Sequence, residues 1–281
     1  MKNKFGIMQG RLLPKYHGRY QAHPVGYWKD EFPIASQLGL DSIEFILDYN
    51  DAEKNPLLTS EGIEDIKKIE NLSGVKVRSI CADYFMEAPF HSNNTAIINK
   101  SLNVFDQLIK NASLLNVKNI VIPCVDQSSL KNTENKNNFI NNIKMMIGTA
   151  ERADINISLE TDLAPIPFAN LLDSINSKNV TVNYDTGNSA ALGYDPEEEF
   201  RSYGHKITDL HIKDRLLGTG PVLLGAGDVN FSKVFDLISK YKYQGIIIFQ
   251  AFRDEEGVEI FKKQYDWFKN KLNIFLTQGE I

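Results

Sequence analysis

Short apolar runs recur along the chain, separated by longer stretches of helical periodicity. The runs are FGIMQ (5–9), DSIEFI (41–46), KVRSICA (76–82), NIVIPC (119–124), INISLE (155–160), VTVNYD (180–185), TDLHIK (208–213) and GIIIFQ (245–250). Each is short and mostly β-branched or otherwise apolar, as parallel strands covered on both faces must be. Between the runs, apolar residues fall three and four apart. Ile63, Ile66 and Ile69 mark a helix opened by Thr59-Ser60-Glu61 and running to about Leu72. Ile98, Leu102, Phe105, Leu108, Ile109 and Leu115 mark another over 97–115. The same spacing predicts helices over 137–153, 231–241 and 256–276, with Ser232 in the first turn of the fourth.

Eight strands alternating with helices predict a parallel sheet, and eight is the number that closes a barrel. An open doubly wound sheet would carry a glycine-rich phosphate turn after its first strand. The chain has QGRLLPKYHGR there, without GxGxxG. The expectation is therefore an α/β protein, a single (β/α)8 TIM barrel spanning 1–281; its length of 281 residues suits a fold that needs about 250. No linker or second repeat interrupts the pattern. The polar stretch KNTENKNN (131–138) reads as the start of a surface helix or the segment before it.

Charge and composition narrow the partners. A formal net charge of −5 gives no general attraction to nucleic acid or to an anionic membrane. No apolar run approaches the ~20 residues of a membrane span, and MKNKFGIMQGRL is not a signal peptide, so a cytoplasmic protein is expected. Cys81 and Cys124 lie in separate strands and read as buried thiols of a reducing compartment.

The strand ends of such a barrel converge on one mouth, where active sites gather. The fifth run ends in Glu160, the sixth in Asp185 and the eighth in Gln250, and the seventh carries His211. Two carboxylates beside an imidazole and an amide oxygen suit one divalent ion. Mn²⁺ is the first choice, and Mg²⁺, Co²⁺ or Zn²⁺ are alternatives. Without a cation the carboxylates would repel each other. Plainer roles exist: Asp185 can cap the turn Asp185-Thr186-Gly187-Asn188, and a lone strand histidine can be a satisfied core residue. Glu160 follows Ile155, Ile157 and Leu159, in a run that would bury a carboxylate needing a partner. Lys213 and Arg215 are candidates for a substrate phosphate, carboxylate or carbonyl. Asn188 is a candidate for a substrate hydroxyl, Glu44 for a hydroxyl or for supporting a metal ligand, Gln9 and Arg11 for lining the substrate pocket, and Asp83, Tyr84 and His91 for pocket walls. Gly225-Ala226-Gly227-Asp228 reads as a tight turn before a helix at Phe231 rather than a phosphate loop. The aromatic loop from Tyr16 to Trp28 would be a lid over the mouth or a cover for the barrel.

ISLETDL, VNYDTGN, DLHIKDR and LGAGDVNF, in this order, resemble the signature segments of the xylose-isomerase-like barrel superfamily. The resemblance runs from GIMQGRLLP through IIIFQAF. It implies that Glu160, Asp185 and His211 are metal ligands and that Glu160 is also the catalytic base. Ketose epimerases of this group carry a second glutamate on the eighth strand, as ligand and opposite-face base. Gln250 stands in that place; its amide can offer an oxygen to a metal but cannot take a proton. Asn188 stands where similar proteins have a substrate-binding histidine.

The resemblance implies an isomerase or epimerase acting through an enediolate on a small sugar, ketose or sugar phosphate. Gln250 tilts the expectation toward single-base chemistry. A dehydratase of the inosose type and a non-catalytic ligand-binding barrel are the alternatives. An abasic-site endonuclease is disfavoured, because of the chain's five histidines only His211 falls in a strand. A homodimer is compatible with such a barrel.

Overall fold

A computed structural model describes residues 4–255 and 257–278. Its eight barrel strands are β1 (Phe5–Met8), β2 (Ser42–Ile46), β3 (Lys76–Cys81), β4 (Asn119–Cys124), β5 (Asn156–Thr161), β6 (Val180–Asp185), β7 (Ile207–Ile212) and β8 (Ile246–Phe249). All pair in parallel in sequential order, and β8 closes on β1 through Phe5 opposite Ile247. The connecting helices are α1 (Glu31–Gln37), α2 (Ser60–Ser73), α3 (Thr95–Ser113), α4 (Thr133–Arg152), α5 (Pro165–Ile175), α6 (Thr186–Leu192), α7 (Pro196–Tyr203), α8 (Phe231–Lys240) and α9 (Val258–Gln278). This is the (β/α)8 barrel expected from the alternation of apolar runs. Among the described residues no helix is long and apolar enough to cross a membrane.

Several boundaries differ from the sequence pattern, for local reasons. Helix α4 begins at Thr133 rather than 137, because Asn132 caps it by accepting from the amides of Glu134 and Asn135. The polar KNTENKNN stretch thus contributes the cap and first turn of the helix. Helix α8 is capped by Asn230, whose side chain accepts from the Lys233 amide. Helices α1, α5, α6 and α7 were not predicted; α6, TGNSAAL, is made largely of small residues that carry little periodicity. Residue 256, the expected start of the last helix, lies outside the described residues, and α9 begins at Val258. Strand β5 runs one residue past Glu160, and Gln250 lies just beyond β8.

Alternation along each strand builds two cores. Ile7, Ile43, Phe45, Ile120, Ile157 and Leu210 belong to the large core between sheet and helices. Met8, Ile46, Cys81, Val121 and Ile248 form a second, small cluster inside the barrel. Both cysteines are free and buried. Trp28 is buried too and packs edge-on against Phe32 and Phe45, so that end of the β1–α1 loop is an anchor against the barrel rather than a hinged cover.

The glycine-rich segment after β7 is a cradle for a side chain of this chain. Asp214, fully buried, accepts from the amides of Gly225 (2.8 Å), Gly227 (3.0 Å) and Val229 (3.2 Å). A Cβ on Gly227 would stand 2.1 Å from the Asp214 carboxylate. The amides that would bind a phosphate are therefore already used by a carboxylate. Asp214→Ala is expected to orphan them and to lower stability by about 3 kcal/mol, read from the urea midpoint. A midpoint shift equivalent to less than about 0.5 kcal/mol would show that the cradle is not structural.

Candidate metal centre and active site

Glu160, Asp185 and His211 come together at the C-terminal mouth, with one ligand atom of each lying within 4.8 Å of the others. All three are buried. Their convergence follows from register: Asp185 pairs with His211 across β6 and β7, and Glu160 is carried on neighbouring β5.

Two asparagines hold Glu160. Asn183 donates to Oε2 at 2.6 Å and Asn188 to Oε1 at 2.7 Å. Burial, reinforced by the charge of Asp185, still pushes the Glu160 carboxyl up to about 7. Asp185 is pulled below the usual carboxylate range: burial opposes its charge, but Lys213, His211 and the Asn188 amide outweigh burial. Its Oδ1 caps α6 by accepting from the Asn188 amide at 2.8 Å, while Oδ2 faces the Lys213 ammonium at 2.9 Å. The helix cap and the Lys213 ion pair thus belong to different oxygens of one carboxylate.

His211 has no exposed surface and bridges two environments. Its Nδ1 faces Glu160 Oε2 at 3.5 Å and Asn183 Nδ2 at 3.1 Å. Its Nε2 faces Glu44 Oε1 at 2.7 Å, off the line of a formed hydrogen bond. Burial works against a charged ring, but Glu44 and Glu160 outweigh it and push His211 up to about 10. Asp209, two residues earlier on β7, completes a second cluster with Glu44 and His211. Burial and the neighbouring Glu44 hold its carboxyl well above the ordinary range.

The remaining sequence candidates divide by depth. Glu44 is fully buried beneath His211 rather than open at the mouth. Gln9, also fully buried, accepts from the Ile46 amide at 3.0 Å and lies 3.2 Å from the His23 ring. Lys213 and Arg215 both reach the Asn188 amide oxygen, at 3.3 and 2.8 Å. Gln250 donates to Gln21 Oε1 at 2.9 Å, and its own Oε1 is buried with no hydrogen-bond partner among the described residues. Arg11 lies beside it, donating to Gln21 and to the Ala251 carbonyl. Asp83 accepts from Gln21 (3.4 Å) and Cys81 (3.1 Å). Tyr84 is buried against Tyr49 and Phe85, and His91 is buried outside the ligand cluster.

Sequence reasoning missed Asn183, Asp209 and Gln21. Asn183 and Asp209 precede Asp185 and His211 by two residues, so strand alternation alone put them on the same face. Gln21 lies in a loop, where no periodicity points to it.

The donor set fits a divalent cation. Oε1 of Gln250 and Oδ1 of Asn183 are buried without hydrogen-bond partners among the described residues, and Oδ2 of Asp185 meets the Lys213 ammonium at 2.9 Å. The Asn183 side chain touches Glu160 and His211, and an unsatisfied buried oxygen beside carboxylates and an imidazole is what a Mn²⁺, Mg²⁺ or Zn²⁺ ion would satisfy. A cavity of about 580 Å³ opens at the opposite end of the barrel, beside Asn119, Asn156 and Thr208. The mouth is the better site because the perturbed carboxylates gather there, whereas volume alone has no chemistry.

The sequence model of the xylose isomerase-like TIM barrel family matches residues 32–271, and the chain belongs to that family. L-ribulose-5-phosphate 3-epimerase UlaE of Escherichia coli is 24% identical over 267 residues, 90% of this chain and 93% of its own length. UlaE of Mycoplasma pneumoniae is 26% identical over 226 residues, covering 76% of this chain and 73% of the relative. An L-ribulose 3-epimerase structure superposes with TM-score 0.79 at 16% identity, over 99% of this chain and 97% of that one. A Mycobacterium smegmatis barrel of the same type, solved with magnesium, gives 0.72 at 17% identity over 98% and 97%. The IOLI protein with a bound zinc gives 0.73 at 18% identity over 96% and 99%. The two curated relatives are named as L-ribulose-5-phosphate 3-epimerases.

Proposed function

We propose that the chain is a divalent-metal-dependent epimerase or isomerase of small ketoses or ketose phosphates. The observation that carries this reading is the buried cluster of Glu160, Asp185 and His211 at the C-terminal mouth. Glu160, Asp185 and His211 would hold the ion, with the Gln250 amide oxygen as a neutral fourth ligand. Bound there, a divalent cation supplies stabilisation of negative charge on the substrate's carbonyl and neighbouring hydroxyl oxygens.

Glu160 takes the proton from the carbon beside the carbonyl, and the electron pair moves into the carbonyl oxygen. Asn183 and Asn188 fix the direction of that carboxylate, one on each oxygen. Lys213 and Arg215, joined at Asn188, offer positive charge to a substrate oxyanion or phosphate at the same rim. Returning the proton from Glu160 to the former carbonyl carbon on the same face, while the neighbouring hydroxyl gives its proton to the former carbonyl oxygen and becomes the new carbonyl, completes a 1,2-isomerisation. Inverting a carbon needs a donor on the other face, and Gln250 cannot serve as one. The UlaE relatives favour 3-epimerisation of a ketose 5-phosphate, and Gln250 favours same-face transfer; the product decides between them.

The test is metal content per chain after stripping and Mn²⁺ reloading, followed by a panel of ketoses and ketose 5-phosphates. About one ion per chain, lost in His211→Ala, with isomerised or epimerised product, is the expected result. Dehydrated product would favour lyase chemistry on the same residues, and no ion under any loading would remove the metal-dependent reading.

A further inference from the structure

Gln250 can serve as an oxygen ligand only if its amide is turned the right way, and a glutamine gives no such guarantee. Its two ends are nearly equal in size and opposite in hydrogen-bonding character. The neighbouring contacts settle the orientation. Arg11 is buried and can only donate; its Nη2 lies 2.9 Å from Gln21 Oε1. Whatever else the Gln21 oxygen meets must therefore also be a donor. The Gln250 amide meets it at 2.9 Å, so the nitrogen of Gln250 faces Gln21. The other end of Gln21 supports the same assignment, because its Nε2 faces the Asp83 carboxyl at 3.4 Å. The Gln250 oxygen is left buried and without a hydrogen-bond partner among the described residues. Arg11 is itself held in place, donating through Nη1 to the Ala251 carbonyl at 3.1 Å, one residue past Gln250.

From these contacts we infer that Gln21 is a positioning residue, which with Arg11 fixes the Gln250 amide so that its oxygen points to the metal site. The inference rests on the metal-centre reading above. A carboxylate at position 250 would need no such device, since either oxygen can bind a cation. The loop after β1 therefore compensates for the glutamine that the ketose-epimerase pattern would make a glutamate.

That logic gives a test with a readout other than turnover. Mn²⁺ dissociation constants are measured by calorimetry for Gln21→Leu in two backgrounds, wild type and Gln250→Glu. In the wild-type background the substitution is expected to weaken Mn²⁺ about 10-fold, as loss of an outer-shell partner does. In the Gln250→Glu background it is expected to change affinity by no more than about 2-fold. Equal weakening in both backgrounds would make Gln21 a general structural residue and overturn the inference, as would no weakening in either. Wild-type protein that binds no Mn²⁺ overturns the metal-centre reading and this inference together. Binding that is lost in His211→Ala but unaffected in Gln21→Leu overturns this inference alone.

Discussion

Glu160→Gln is expected to lower kcat by about 10²- to 10⁴-fold, the range over which a positioned general base contributes. Within the cluster Glu160 is the stronger carboxylate base, because Lys213 holds the Asp185 carboxyl below the usual range and so makes it a weak one, and Gln250 is an amide. Without the ion, burial and the Asp185 charge raise its carboxyl to about 7, so it is a stronger base than an ordinary carboxylate. A glutamine would also set an NH₂ group against one of the two asparagine amides that now donate to it. Metal affinity must therefore be measured beside turnover. The decisive readout is exchange of the substrate's α-proton with deuterated solvent at saturating Mn²⁺. Loss of exchange with the ion still bound identifies the base, and full turnover in the variant would sink the assignment.

Glu44→Gln is expected to weaken metal binding by about 10- to 100-fold with little change in fold. The reason lies in the two nitrogens of His211. Nδ1 faces Glu160 and the ligand cluster, while Nε2 faces Glu44 at 2.7 Å. A carboxylate behind the ring orients it and makes it a better ligand. Without metal the ring is charged up to about pH 10, so the ion must displace its proton. Glu160, raised to about 7, loses its remaining proton in the same event. Both shifts have one sign: Mn²⁺ affinity rises with pH, most steeply below about 7, where two groups must deprotonate, and more gently up to about 10. Calorimetry in buffers of different ionisation enthalpy should show protons released on binding, fewer at pH 8 than at pH 6. Affinity flat between those pH values would contradict this charge arrangement. Unchanged affinity in Glu44→Gln would return Glu44 to a merely structural place in the lumen.

Much of the site was legible because a parallel barrel has a simple rule. Every strand points its C-terminal end at the same mouth, so recognising strands in order places their terminal residues in one ring. Glu160, Asp185 and His211 needed only that rule and the period of two. The helices were legible where they were long and periodic, as over 60–73 and 95–113, and invisible where short and built of small residues, as over 186–192.

The chain's own order of apolar runs determined the fold class, the mouth and the residue types that gather there, because these depend on local periodicity and strand sequence. Only the tertiary structure decided depth and partnership. Glu44 could have met a hydroxyl or supported a ligand, and it is fully buried against the back of His211; Gln9 read as a pocket residue, yet it is fully buried and bonded to the backbone of β2. His211 pairs with Ile248, which leaves Gln250 two residues farther along, where a loop residue can reach it. Whether a side chain near a strand end meets a substrate, a ligand or a neighbour depends on strand stagger and on loops crossing from distant sequence. Both are set when the barrel closes, and neither leaves a period in the sequence.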